Sequence, residues 1–135
     1  MQQTMDELHA ALNEASRALT TASHRRTEAK ALFETAKQDR YAARERRVVA
    51  ARAQVNAVER YATTPGDGDR EYYRFLEAAQ VYADACRKSH QALAALTLAA
   101  DSYTKSCTEY GEAARKEDAA FAALREAAEL GEGRS

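Results

Sequence analysis

Alanine recurs at every seventh position through most of this chain. Ala15, Ala22, Ala29, Ala36, Ala43, Ala50 and Ala57 form one unbroken column, with Leu8 ahead of it. Ala78, Ala85, Ala92, Ala99, Ser106, Ala113, Ala120 and Ala127 form a second. With alanine at roughly one residue in four, seven successive hits in some phase arise by chance about once in several thousand tries. Seven residues is the period of helices packed side by side, and small side chains at that period let two backbones approach closely. The columns predict two long α-helices lying against one another.

The boundaries follow from local chemistry. Thr4-Met5-Asp6-Glu7 reads as a capping box, the Thr4 hydroxyl accepting from the Glu7 amide. No Pro or Gly interrupts Met5 to Ala62. Pro65 disfavours the α conformation at Thr64, and Gly66 and Gly68 permit positive φ. The first helix is therefore expected over about 5–62 and the turn over 63–68. Asp69 is a candidate N-cap for a second helix over about 69–130, closed by Gly131 as its C′ glycine, with a frayed tail over 131–135. The short turn makes the helices antiparallel, a single hairpin domain over 1–135. Fitting the columns across it pairs Ala57 with Ala78, Ala50 with Ala85, Ala36 with Ala99 and Ala15 with Ala120.

Larger apolar residues flank the columns. In the second helix the series from Tyr72 through Cys86, Leu93 and Cys107 to Ala128, and the series from Phe75 through Tyr82 and Leu96 to Leu124, make an a/d pattern. In the first, Met5, Leu12, Leu19 and Phe33 flank the column, with Arg26, Arg40 and Arg47 interrupting the same series. Beyond residue 40 a separate stripe appears: Tyr41, Val48, Val55 and Ala62, with Ala51 and Val58 between. Each helix of a lone pair has one neighbour, so the pair encloses no core. The apolar width near the turn exceeds what one alanine-lined contact covers. At ~25 cal/mol per Å² such a surface is costly to leave wet. A homodimer forming a four-helix bundle is the simplest remedy. Tyr41, Val48, Val55, Val58, Tyr72, Tyr73 and Leu76 are accordingly the candidate partner-binding residues, with Val49 and Val81 adding to the surplus.

The composition agrees with long helices. Of the 135 residues 45% are hydrophobic, largely alanine, and 30% are charged, with a net charge of −1, one Pro and no Trp. No apolar run approaches the ~18 residues of a membrane span, and the N-terminus lacks the basic head and apolar core of a signal peptide. Cys86 and Cys107 lie 21 residues apart. On one helix that is about 31 Å, far beyond the roughly 7 Å Cα separation a disulfide tolerates. Free thiols and a reducing, cytoplasmic compartment are expected.

Candidate chemistry is sparse. Cys86 and His90, four apart, could face one metal, but His9 and His24 are remote and the residues opposite supply no further soft ligand, so both cysteines read as small core residues. No Ser/His/Asp or Cys/His grouping suggests a nucleophile, and the Glu-x-x-His pattern of bundle metal centres is absent. Gly66-Asp67-Gly68-Asp69 is too short for a phosphate loop. No enzyme activity, cofactor, metal or small-molecule substrate is therefore expected. Asp101 to Gly111 is the weakest helical stretch, and Gly111, opposite His24, would make room for that ring or mark a kink.

The chain thus reads as an all-α, antiparallel two-helix coiled-coil hairpin. Its expected role is a non-catalytic module for protein–protein interaction and oligomerisation, within a scaffold, cytoskeletal assembly or larger complex, with itself or other coiled coils as partner. One rival is a hairpin binding an anionic membrane or nucleic acid through Lys37, Arg40, Arg44, Arg46, Arg47 and Arg52, weighed against a solvated helix face on a chain that is not basic overall. Another is a small secreted helical-hairpin dimer, although Thr64-Pro65-Gly66 stands where the Trp-x-Gly turn of such hairpins would be.

Overall fold

The computed structural model describes residues 3–66 and 68–132. Asp67 of the expected turn and the end of the tail lie outside them. Helix α1 spans Met5–Thr63 and α2 spans Asp69–Glu132, with no other regular element among the described residues. Two helices packing against one another, as the columns predict, make up the fold.

The Glu7 amide donates to the Thr4 hydroxyl at 3.1 Å, closing one half of the capping box. Helix α1 runs one residue past Ala62, because Pro65 constrains only its immediate neighbour: the Thr64 amide still reaches the Arg60 carbonyl at 3.0 Å. Gly66 and Gly68 turn the chain with φ of 96° and 61°. The Gly68 carbonyl accepts from the Tyr72 amide at 2.8 Å, so Gly68, not Asp69, holds the cap position. Asp69 falls in the first turn of α2 with Glu71, where negative charge meets the positive end of the helix dipole. Gly131 is helical and is not a left-handed C′ residue. One glycine costs a helix about 1 kcal/mol, too little to stop it by itself. The Asp101–Gly111 stretch is likewise helical; Thr108 and Ser106 turn their hydroxyls back onto the carbonyls of Thr104 and Tyr103. Gly111 makes no room for His24: a Cβ there would meet only the Arg115 guanidinium, at 4.0 Å.

Packing divides into two compact units, a terminal unit (Met1–Leu32 with Ala100–Ser135) and a turn unit (Phe33–Ala99). In the terminal unit Leu8, Ala22 and Ala29 are buried on α1, and Ser106 and Ala113 on α2. The Ser16 hydroxyl donates to Glu117 at 2.9 Å, and Arg26 lies over Tyr110. Later residues of α1 meet earlier residues of α2, so the pairing is antiparallel. In the turn unit Ala43 and Ala50 are buried, and Ser89, at 2% exposure, is the most enclosed side chain. Tyr61 packs on Tyr72 and Phe75, with ring centres 5.7 and 6.3 Å apart. Every member of both alanine columns is buried or half-buried.

The a/d assignment on α2 shifts by one series. The covered stripes are the alanine column and the Phe75 series, whereas the Tyr72 series is split: Ala79, Cys86, Ala100, Cys107 and Ala114 are half-buried, and Tyr72, Leu93, Phe121 and Ala128 are exposed. Alanines at the contact centre the seam on the column, which moves the Tyr72 series to the margin.

Candidate functional site

The turn unit carries an apolar face outside the interhelical seam. On α1, Tyr41 and Val48 sit two residues before the column alanines Ala43 and Ala50, while Ala51 and Val58 sit one residue after Ala50 and Ala57. With Arg44 these follow one another at alternating spacings of three and four residues, from Tyr41 to Ala62, which is a second heptad seam on the same helix. Helix α2 repeats the offsets. Leu76 and Ala83 precede Ala78 and Ala85 by two, and Ala79, Cys86 and Leu93 follow column alanines by one.

Both second seams emerge on the same side. A cleft on the other side of the turn unit is lined by Ala43, Arg46 and Ala50 from α1 and by Val81, Asp84, Ala85 and Lys88 from α2. Arg46, Val81 and Lys88 each stand three residues past a column alanine. Equal offsets on the two antiparallel helices therefore point to one common side. The offsets of the second seams point to the opposite one.

This face is wet. Tyr41 is 67% exposed, Val55 56%, and Val58, Tyr72 and Leu76 43% each. All seven residues singled out for partner binding are exposed. Tyr73 lies at the outer border, edge-on to Tyr72 at 6.1 Å. Val49 and Val81 do not belong: Val81 lines the opposite cleft, and Val49 points away from the second seam. Of the 16 large hydrophobic residues exposed among the described residues, 12 lie in the turn unit. In the terminal unit the same offsets on α1 hold His9, Asn13, Ser16, Thr20, Ser23 and Thr27, all polar. There Thr20 and Thr27 fold their hydroxyls onto the carbonyls of Ser16 and Ser23. On α1 the apolar second seam is thus confined to the turn unit.

The basic residues of 37–52 are not gathered onto one surface. Arg40 and Arg47 are half-buried in the interhelical seam, Arg46 lines the cleft, and Lys37 and Arg44 fall on the apolar side. Lys37 pairs with Glu34 at 3.2 Å and covers the Phe33 ring at 4.8 Å. Cys86 and Cys107 are free and half-buried, and His90 is exposed. The Tyr82 hydroxyl is held above its ordinary value of 10.0, first by its hydrogen bond with Cys86, then by the charge of that thiol and by burial, with Arg47 pulling the other way. Among the described residues, no group of three or more His, Cys, Asp or Glu side chains could hold a metal ion. None of the described helices is long and apolar enough to cross a membrane.

The sequence reading placed Tyr72, Tyr73 and Leu76 with the α1 stripe on one surface but missed that Cys86 and Leu93 continue it on the same side. The signal was present in the equal offsets from the two columns. Comparison with protein families, with characterised proteins and with solved structures finds no match.

Proposed function

We infer that this chain is a non-catalytic helical interaction module that self-associates through the apolar face of its turn unit. The observation that carries the reading is the second heptad seam, exposed on both helices on one side. Such a seam has no use within a two-helix pair. It has the spacing that another pair of helices fills in a four-helix bundle. Its central residues, Val48 to Val58 and Leu76 to Cys86, include no charged side chain at the seam positions. A desolvated interface core is depleted of charge in the same way.

The reading is tested by thermal melting at several protein concentrations. Association with the folded state raises Tm with concentration by mass action. The unmodified chain should show that dependence, and Val48→Glu with Val55→Glu should abolish it, since each would bury an unpaired charge. A Tm independent of concentration in the unmodified chain would count against self-association.

A further inference from the structure

We propose that a second copy docks on the apolar face with both turns at the same end, α1 of each copy lying on α2 of the other. The inference rests on the self-association reading and adds its geometry. Two arrangements bring two such faces together by a two-fold axis. An axis along the helices sets α1 on α2 with the turns at one end. An axis across the helices sets α1 on α1 and α2 on α2, end for end.

The area suffices for a second copy. Tyr41 to Ala62 covers about 32 Å at 1.5 Å per residue, and two helices abreast are about 20 Å wide. Pairing two such faces removes about 1,200 Å² in total, at the lower edge of stable interfaces.

The charges bordering the face select the orientation. Glu45, Arg52 and Glu59 stand two residues past Ala43, Ala50 and Ala57, on the outer margin of α1; Gln80 and Arg87 occupy the same offset on α2. With the turns together, and Ala50 level with Ala85, Glu45 comes within one turn of Arg87 of the other copy, and Arg52 lies toward Gln80. Arg87 already holds Asp84 at 2.7 Å through Nη2, and the remaining donors of its guanidinium are open to Glu45. End for end about Ala51, Glu45 instead meets Glu59 and Arg52 meets Arg52. Like charges placed opposite one another disfavour that pairing. Side-chain sizes fit the first arrangement too: Val58 falls on Leu76, Val48 on Cys86, and Ala62 leaves space for Tyr72.

Two measurements on the associated protein decide the matter. Glu45→Arg should weaken the dimer at low salt by about threefold or more, and adding Arg87→Glu should restore it, as expected for exposed ion pairs. End-for-end packing predicts the reverse sign, because the new arginine would meet Glu59. Spin labels at Thr64→Cys, in a Cys86→Ala, Cys107→Ala background whose mass by light scattering is that of a dimer, should lie within about 25 Å in the same-end dimer, the width of a bundle. End for end they would be about 38 Å apart at 1.5 Å per residue. A dimer that Glu45→Arg leaves unchanged or tightens, or that shows the longer distance, overturns the arrangement and leaves self-association standing. A monomer by light scattering in the same samples of unmodified chain overturns both.

Discussion

The guanidinium carbon of Arg26 lies 4.0 Å from the centre of the Tyr110 ring. Arg26 occupies a seam position on α1 where Leu12, Leu19 and Phe33 mark an apolar series. A charge there would be costly if it were desolvated alone. Tyr110 offers an aromatic face in its place, and Arg26 as a whole is half-buried. Glu117 is the matching exception on α2, and Ser16 donates to it. Arg26 and Glu117 thus have partners on the opposite helix, whereas Ser106 turns its hydroxyl to the Tyr103 carbonyl of its own helix.

The coupling between Arg26 and Tyr110 should be measurable. A double-mutant cycle with Arg26→Met and Tyr110→Leu, read by urea unfolding, is expected to give about 0.5–1 kcal/mol. A coupling indistinguishable from zero would mean that the stacking contributes nothing in solution.

The alanine column is a steric requirement in the turn unit. Ala50 is 5% exposed and faces the Val81–Lys88 stretch of α2. Ala50→Leu should destabilise by about 1–3 kcal/mol through overpacking. A stability equal to that of the unmodified chain would show that the helices separate without cost at that level.

Stability at alkaline pH should depend on Tyr82. Its folded value is raised above the unfolded value of 10.0, so its contribution is complete below that pH and is lost as pH rises through the folded value. Tyr82→Phe should therefore lose less stability than the unmodified chain as pH rises above 10.0. Denaturant midpoints at matched pH check this, and parallel losses in both proteins would refute it.

Much of the fold was legible in the sequence because the period of the alanine columns is a direct consequence of helix packing. Pro65, Gly66 and Gly68 marked the turn for equally local reasons. The ends were harder to place: Gly68 took the cap that Asp69 was expected to hold, and Gly131 continued the helix, because a terminus is set by small differences between neighbouring backbone options. The docking face was half legible. Tyr41, Val48 and Val55 stood out as a stripe with Tyr72 and Leu76 on the same surface, but assigning Cys86 and Leu93 to the interhelical seam hid their place beside it. Deciding between margin and seam requires knowing that the two alanine columns set the centre of the contact.

Mass in solution tests the central claim most directly. Light scattering over a concentration series should give twice the 14.9 kDa of one chain. The Val48→Glu, Val55→Glu double variant should return to the mass of a single chain while keeping its helices. A single-chain mass for the unmodified protein up to high micromolar concentration would contradict self-association through the turn-unit face.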